Sequence, residues 1–78
     1  MWSTYVLKCS DNTYYTGCTS DIRDRLNRHQ TGQIKYTSSR LPVELIVTIS
    51  FYNKYKAYDF ERYLKSGSGK AFMNKRFV

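Results

Sequence analysis

Thr4-Tyr5-Val6-Leu7-Lys8-Cys9-Ser10-Asp11-Asn12-Thr13-Tyr14-Tyr15-Thr16-Gly17 holds two β-forming runs around a turn. Residues 4–9 read as one strand, Ser10-Asp11-Asn12 as turn chemistry, and residues 13–18 as the returning strand. Loop length decides what faces the core, because opposed residues of a hairpin share a face. A two-residue loop at Asp11-Asn12 would put Tyr5 and Tyr15 on opposite faces. A three-residue loop with Asn12 in the left-handed region collects Tyr5, Leu7, Tyr15 and Gly17 on one face. Asn adopts a positive φ more readily than most residues, so the second form is predicted.

Downstream, Thr19 and Ser20 are capping residues and Asp21 suits a helix N-terminus. A helix is predicted over 21–30, stopped by Gly32, with Ile22, Leu26 and His29 at core spacing and Arg25 one turn before His29. Residues 33–42 form a basic, hydroxyl-rich loop closed by Pro42. From Val43 to Phe51, Val43, Leu45, Val47, Ile49 and Phe51 alternate with Glu44, Thr48 and Ser50, the pattern of a half-buried strand. A second helix is predicted over 54–65, with Ala57, Phe60 and Leu64 on its inner stripe. Ser66-Gly67-Ser68-Gly69 then breaks it, and a short third helix follows over 70–76. The expected fold is α/β in the α+β sense: one domain over residues 1–78, with a three-stranded antiparallel sheet (4–9, 13–18, 43–51) flanked by helices. No repeat or linker divides it.

Composition agrees with a small globular domain. Hydrophobic residues make up 41% and charged residues 24%, which excludes a disordered tail. Eight Tyr and four Phe bury much area per residue, and that is how a chain this short can build a core. No run approaches the roughly 18 apolar residues of a membrane span, and no apolar run follows a charged start, so no secretory signal is expected. Cys9 and Cys18 form no CxxC pair and have no His cluster near them, so they are expected to be free thiols in a reducing cytoplasm. The net charge of +7 points to a polyanion, most simply nucleic acid. Residues 52–78 carry seven of the basic groups against two acidic ones.

Two features of the second half bear on chemistry. Gly67-Ser68-Gly69-Lys70 resembles a phosphate loop only superficially. That motif needs an earlier Gly and a Ser or Thr after the Lys, where this chain has Leu64 and Ala71. A helix-capping turn is the better reading, with Lys70 free to touch a phosphate. Glu61, between Ala57 and Leu64 on the inner stripe, is more telling. A carboxylate is costly there unless something pairs with it, and neither Arg62 nor Lys65 is expected to share its face well.

Taken singly, a strand Tyr, a helix Arg and a lone His each have an ordinary structural explanation. Together Tyr5, Tyr15, Arg25, His29 and Glu61 resemble the GIY-YIG nuclease superfamily over nearly the whole chain. Thr4-Tyr5-Val6 stands at the first motif and Tyr15-Thr16-Gly17 at the second. Residues 60–69, Phe-Glu-Arg-Tyr-Leu-Lys-Ser-Gly-Ser-Gly, look especially like the small stand-alone bacterial members. Thr4 replaces the Gly of the first triplet, Cys18 stands where the repair-nuclease branch carries a Lys, and Asn74 matches a family Asn beyond the glutamate.

The resemblance implies hydrolysis of a phosphodiester bond, most simply in DNA. It implies Glu61 as ligand of a divalent cation, Mg²⁺ or Mn²⁺, Arg25 on the phosphate, and Tyr5 and Tyr15 orienting water or phosphate. A hard cation keeps several waters, so one carboxylate can suffice. Two bases remain open: Tyr15, whose free pKa near ~10 calls for a nearby cation, and His29, which titrates near ~6.5. Lys35, Arg40, Lys65, Lys70 and Asn74 are the expected contacts to nucleic acid. A binding module of the same fold with little or no cleavage is the alternative.

Overall fold

Asn12 sits at φ 66°, and the loop of the hairpin is the three-residue form. In this computed structural model, which describes residues 1–77, Asp11 Oδ1 accepts from the Thr13 amide at 3.1 Å and from its hydroxyl at 2.6 Å. These bonds hold the turn that joins β1 (Trp2–Lys8) to β2 (Tyr14–Thr19). In the resulting antiparallel register Tyr5 opposes Gly17 and Leu7 opposes Tyr15, so all four lie on one face. The first strand starts two residues earlier than its sequence pattern indicates, because Trp2 and Ser3 find partners in Phe51 and Ser50 of a third strand.

That strand, β3 (Glu44–Phe51), pairs antiparallel with the other side of β1, giving the order β2-β1-β3. Its alternating side chains do not share one face as expected. The register shifts between Val6 and Leu7: Val47 opposes Val6 while Leu45 opposes Leu7, and Ile46 is the extra residue of a β-bulge. One extra residue inverts the alternation beyond it. Val43 and Leu45 therefore pack with Tyr5, Leu7 and Cys9, whereas Val47 packs with Val6, Leu64 and Met73 on the opposite face. The sheet has an apolar cluster on each side.

Helices cover both clusters. On the first face lies α1 (Ile22–Gln30), with Ile22 and Leu26 against Tyr5 and Leu7. Asp21 is its cap rather than its first residue, accepting from the Asp24 amide at 3.1 Å, and the Thr19 hydroxyl accepts from the Asp21 amide. The helix ends in a Schellman turn. Gly32 at φ 79° donates to His29 O and Gln33 to Arg28 O. The expected loop of residues 33–42 contains a one-turn helix, α2 (Lys35–Ser38). Ser10 donates to Arg40 O through both its amide and its hydroxyl, fastening the end of this segment to the hairpin.

The second face is covered by α3 (Lys54–Lys65) and α4 (Gly67–Arg76). The Thr4 hydroxyl donates to Ala57 O at 2.7 Å, tying α3 to the central strand. The last helix begins at Gly67, three residues before the expected start. Ser66 ends α3 and also caps α4, accepting from the Gly69 amide at 3.1 Å. Gly69 is buried against the turn of α3 before it: a Cβ would meet the Tyr63 carbonyl and lie 2.7 Å from Leu64 Cα. Here glycine serves close helix–helix approach more than helix breaking. No helix among the described residues is long and apolar enough to cross a membrane.

Candidate active site

Tyr5 and His29, one on the central strand and one on α1, are both fully buried and bonded to each other, Tyr5 Oη to His29 Nε2 at 2.8 Å. The other ring nitrogen, Nδ1, lies 2.7 Å from the buried Thr37 hydroxyl on α2. Thr37 in turn directs its hydroxyl toward Ile34 O at 3.4 Å, which leaves its oxygen to accept Nδ1–H. In this tautomer Nε2 is the bare nitrogen and accepts the Tyr5 hydroxyl proton. His29 is neutral at neutral pH: burial, then the charge of Arg25, pushes its pKa below the ordinary 6.5. Tyr5 crosses directly over Gly17, where a Cβ would fall 2.6 Å from Tyr5 Cζ.

Tyr15 packs beside this pair, its ring centroid 6.2 Å from Tyr5 and 4.9 Å from His29, and it is only half-buried. The Tyr5 hydroxyl is held far above the usual phenol range, chiefly by burial and next by the nearby Tyr15; Arg25 opposes this by hydrogen bonding and charge. Tyr5, Tyr15, Arg25 and His29 thus converge from β1, β2 and α1.

Glu61 arrives from the other layer, on α3. Of the six acidic residues it is the one not largely exposed. Its charge, after burial, raises the pKa of the Cys18 thiol on β2, and Arg25 lowers it. Cys18 therefore lies within electrostatic reach of both Glu61 and Arg25. The expectation that Lys65 would not reach Glu61 is corrected: Lys65 Nζ sits 2.9 Å from Glu61 Oε2, because residues one turn apart on a helix are neighbours. Half-burial of this carboxylate is thus met by an ammonium group.

The donors present fit a weakly held hard cation. No group of three or more His, Cys, Asp or Glu side chains that could enclose a metal exists among the described residues. Glu61 alone offers a partly sheltered carboxylate, and an ion there would take its remaining ligands from water and phosphate. Lys65 would have to yield Oε2.

A groove of about 500 Å³ adjoins the site. Tyr15 and Tyr36 line it from the α1–α2 side, Lys65, Lys70, Met73 and Asn74 from α3 and α4. Three of the five expected nucleic-acid contacts, Lys65, Lys70 and Asn74, therefore meet in one place. Arg40 is engaged elsewhere: it pairs with Asp11 at 3.0 Å, donates to Tyr36 O at 2.6 Å, and lies 4.2 Å over the Tyr36 ring. Lys35 is exposed on α2. Sequence reasoning missed Thr37 and Tyr36; the hydroxyl-rich composition of residues 33–42 was the signal available.

The fold, the gathering of two tyrosines, a helix arginine and a histidine, and the glutamate carried by α3 are those of a GIY-YIG domain. The family model described as the GIY-YIG catalytic domain matches residues 1–76, and the chain belongs to that family of nucleases. Among its relatives it is 47% identical over 68 residues to the UPF0213 protein SAG0778 of Streptococcus agalactiae, covering 86% of this chain and 77% of that one. It is 47% identical over 62 residues to the UPF0213 protein YazA of Bacillus subtilis, covering 78% and 63%. The solution NMR structure of the UPF0213 protein BH0048 from Bacillus halodurans superposes with a TM-score of 0.60 at 34% identity, covering 96% of this chain and 84% of that one.

Proposed function

We propose that the chain is a metal-dependent endonuclease that hydrolyses phosphodiester bonds in DNA. The observation that carries this reading is the buried chain Tyr5–His29–Thr37 next to Tyr15 and Arg25. Such a chain moves a proton. Tyr15, the more exposed phenol, takes a proton from the attacking water as its own passes to Tyr5, and the Tyr5 proton goes to His29 Nε2. The imidazolium so formed keeps Nδ1–H on Thr37. Both of His29's nitrogens are engaged, so it acts as the final acceptor behind the tyrosines, not on water directly. Arg25 presents two donors to the phosphoryl oxygens. Glu61 would hold Mg²⁺ or Mn²⁺, which when bound supplies charge neutralisation at the phosphate. The two unpaired, buried thiols fit a reducing compartment, and we place the protein in the cytoplasm.

The Glu61–Lys65 pair favours a second reading, since it accounts for the carboxylate without a metal. A nucleic-acid-binding module of this fold would then suffice. Glu61→Gln separates the two, assayed against a panel of nucleic acids with and without Mg²⁺ or Mn²⁺. For a nuclease the variant folds, binds at least as well as the parent, and cuts at least about a hundredfold more slowly, a loss of about 3 kcal/mol of transition-state stabilisation or more. Equal cleavage removes Glu61 from the mechanism, and no cleavage by the parent on any substrate favours the binding module.

A further inference from the structure

The groove beside the site holds chemistry that proton transfer and phosphate binding do not use. Tyr36, Lys70, Met73 and Asn74 take no part in the catalytic cluster, yet they meet Tyr15 and Lys65 around one opening of about 500 Å³. That volume falls within the range of sites for small organic ligands, about 300–1,000 Å³. Its lining combines three kinds of group. Tyr36, 41% exposed, packs its ring 5.4 Å from Tyr15, has Arg40 4.2 Å over one face, and offers its remaining aromatic surface, with the flexible thioether of Met73 also in the lining. Lys70 brings a cation, and Asn74 an amide that both donates and accepts. Tyr14, Tyr15 and Thr16 of β2 also line the groove, and among the described strands β2 pairs only with β1.

A flat, hydrogen-bonding, anionic ligand suits this combination, and a nucleotide has all three properties. A base within a duplex is covered on both faces by its neighbours, so a cleft lined by aromatic rings admits it only when it is out of the stack. Position fixes the rest. Tyr15 belongs both to the groove and to the catalytic cluster, and Lys65 belongs both to the groove and to the Glu61 ion pair. A strand that places a phosphate at Tyr15 and Arg25 therefore brings an adjacent nucleotide to the groove.

We propose that this groove is a subsite for one unpaired nucleotide next to the phosphate being cut. Its base lies against Tyr36 and Met73, Asn74 meets the base edge, and Lys70 takes its own phosphate. The place of this nucleotide beside the cut rests on the nuclease reading; occupancy of the groove does not.

The test uses binding without cleavage. A 5′-phosphorylated trinucleotide is titrated into isotopically labelled protein in chelator, followed by amide resonances. Tyr15, Tyr36, Lys70 and Asn74 should shift together. An abasic central nucleotide should bind about tenfold more weakly to the parent, and this penalty should vanish in Tyr36→Ala. Lys70→Ala, at an exposed position, should weaken the intact trinucleotide several-fold. Shifts confined to other faces, equal binding of the abasic ligand, or a penalty undiminished in Tyr36→Ala would each overturn the subsite. A protein that fills the groove as described but cuts nothing in Mg²⁺ or Mn²⁺ would sink the nuclease reading alone. One that cuts, yet shows no abasic penalty, would sink the subsite alone.

Discussion

The ring of Tyr5 lies across Gly17, its opposite number on the neighbouring strand, so closely that no side chain fits between them. The glycine is what lets the phenol reach His29. Gly17→Ala would set a methyl group 2.6 Å from Tyr5 Cζ, and a buried ring held by helix α1 has little room to give. Overpacking of this kind costs about 1–3 kcal/mol. The variant should lose that much stability in urea denaturation and lose cleavage more steeply still. Wild-type activity in Gly17→Ala would show that the Tyr5 position is not needed.

Thr37 supports His29 from the other side. Thr37→Val keeps the shape but leaves Nδ1–H buried with no acceptor, at a cost of about 1–3 kcal/mol. Thr37→Ser keeps the oxygen and should restore most of the stability. Equal loss in the two variants would mean that the methyl group, rather than the hydroxyl, is what matters there.

Acid should act through His29. Its folded pKa lies below 6.5, so the folded protein favours the neutral ring and the unfolded chain takes up the proton first. The contribution is complete above 6.5 and is lost as pH falls below it toward the folded value, with a slope of at most about 1.4 kcal/mol per pH unit. Tyr5 has the opposite sign: its raised folded pKa gives a contribution complete below 10.0 and lost as pH rises beyond it. Cleavage should likewise hold level through neutrality and fall only below 6.5, since a protonated His29 cannot accept. Urea midpoints and kcat measured across pH check both limbs. An acid limb centred above 6.5, or one that survives in His29→Gln, would contradict the assignment.

Lys65 is expected to have two opposing effects. The ion pair with Glu61 is worth about 1 kcal/mol at most, because Lys65 is well exposed. Lys65→Met frees Oε2 and should lower the Mg²⁺ concentration for half-maximal cleavage by up to about fivefold. The same change removes a cation from the groove, so KM for the nucleic acid should rise and its dependence on salt should weaken. An unchanged metal requirement would show that the pair does not compete with the ion.

Much of this arrangement is legible in the chain because it rests on local rules. Asn12 announces the bulged loop, the loop sets the register, and the register puts Tyr5, Leu7, Tyr15 and Gly17 together. Helix spacing likewise places Arg25 and His29 on the side that meets them. The less legible parts depend on contacts distant in sequence. Thr37 has no local reason to face His29 until α2 folds back, and Arg40 looks like a free cation until the hairpin brings Asp11 to it. Gly67 and Gly69 read as breakers because the close approach of α4 to Tyr63 and Leu64 exists only in the folded protein.

The bulge at Ile46 makes β3 the element that belongs to two cores at once: its first half is sealed under α1, its second under α3 and α4. Deleting Ile46 would make Leu45 and Val47 neighbours on an unbroken pleat, and they would still face opposite layers, across from Leu7 and Val6 as now. Straightening the strand with Ile46 retained would instead put Leu45 and Val47 on one face, and either Val43 and Leu45 or Val47 and the residues after it would then present themselves to the wrong layer. A single backbone residue thus acts as the hinge pin of the hydrophobic pattern, and a strand that lost the bulge but kept the residue would have to choose which of its two interiors to keep.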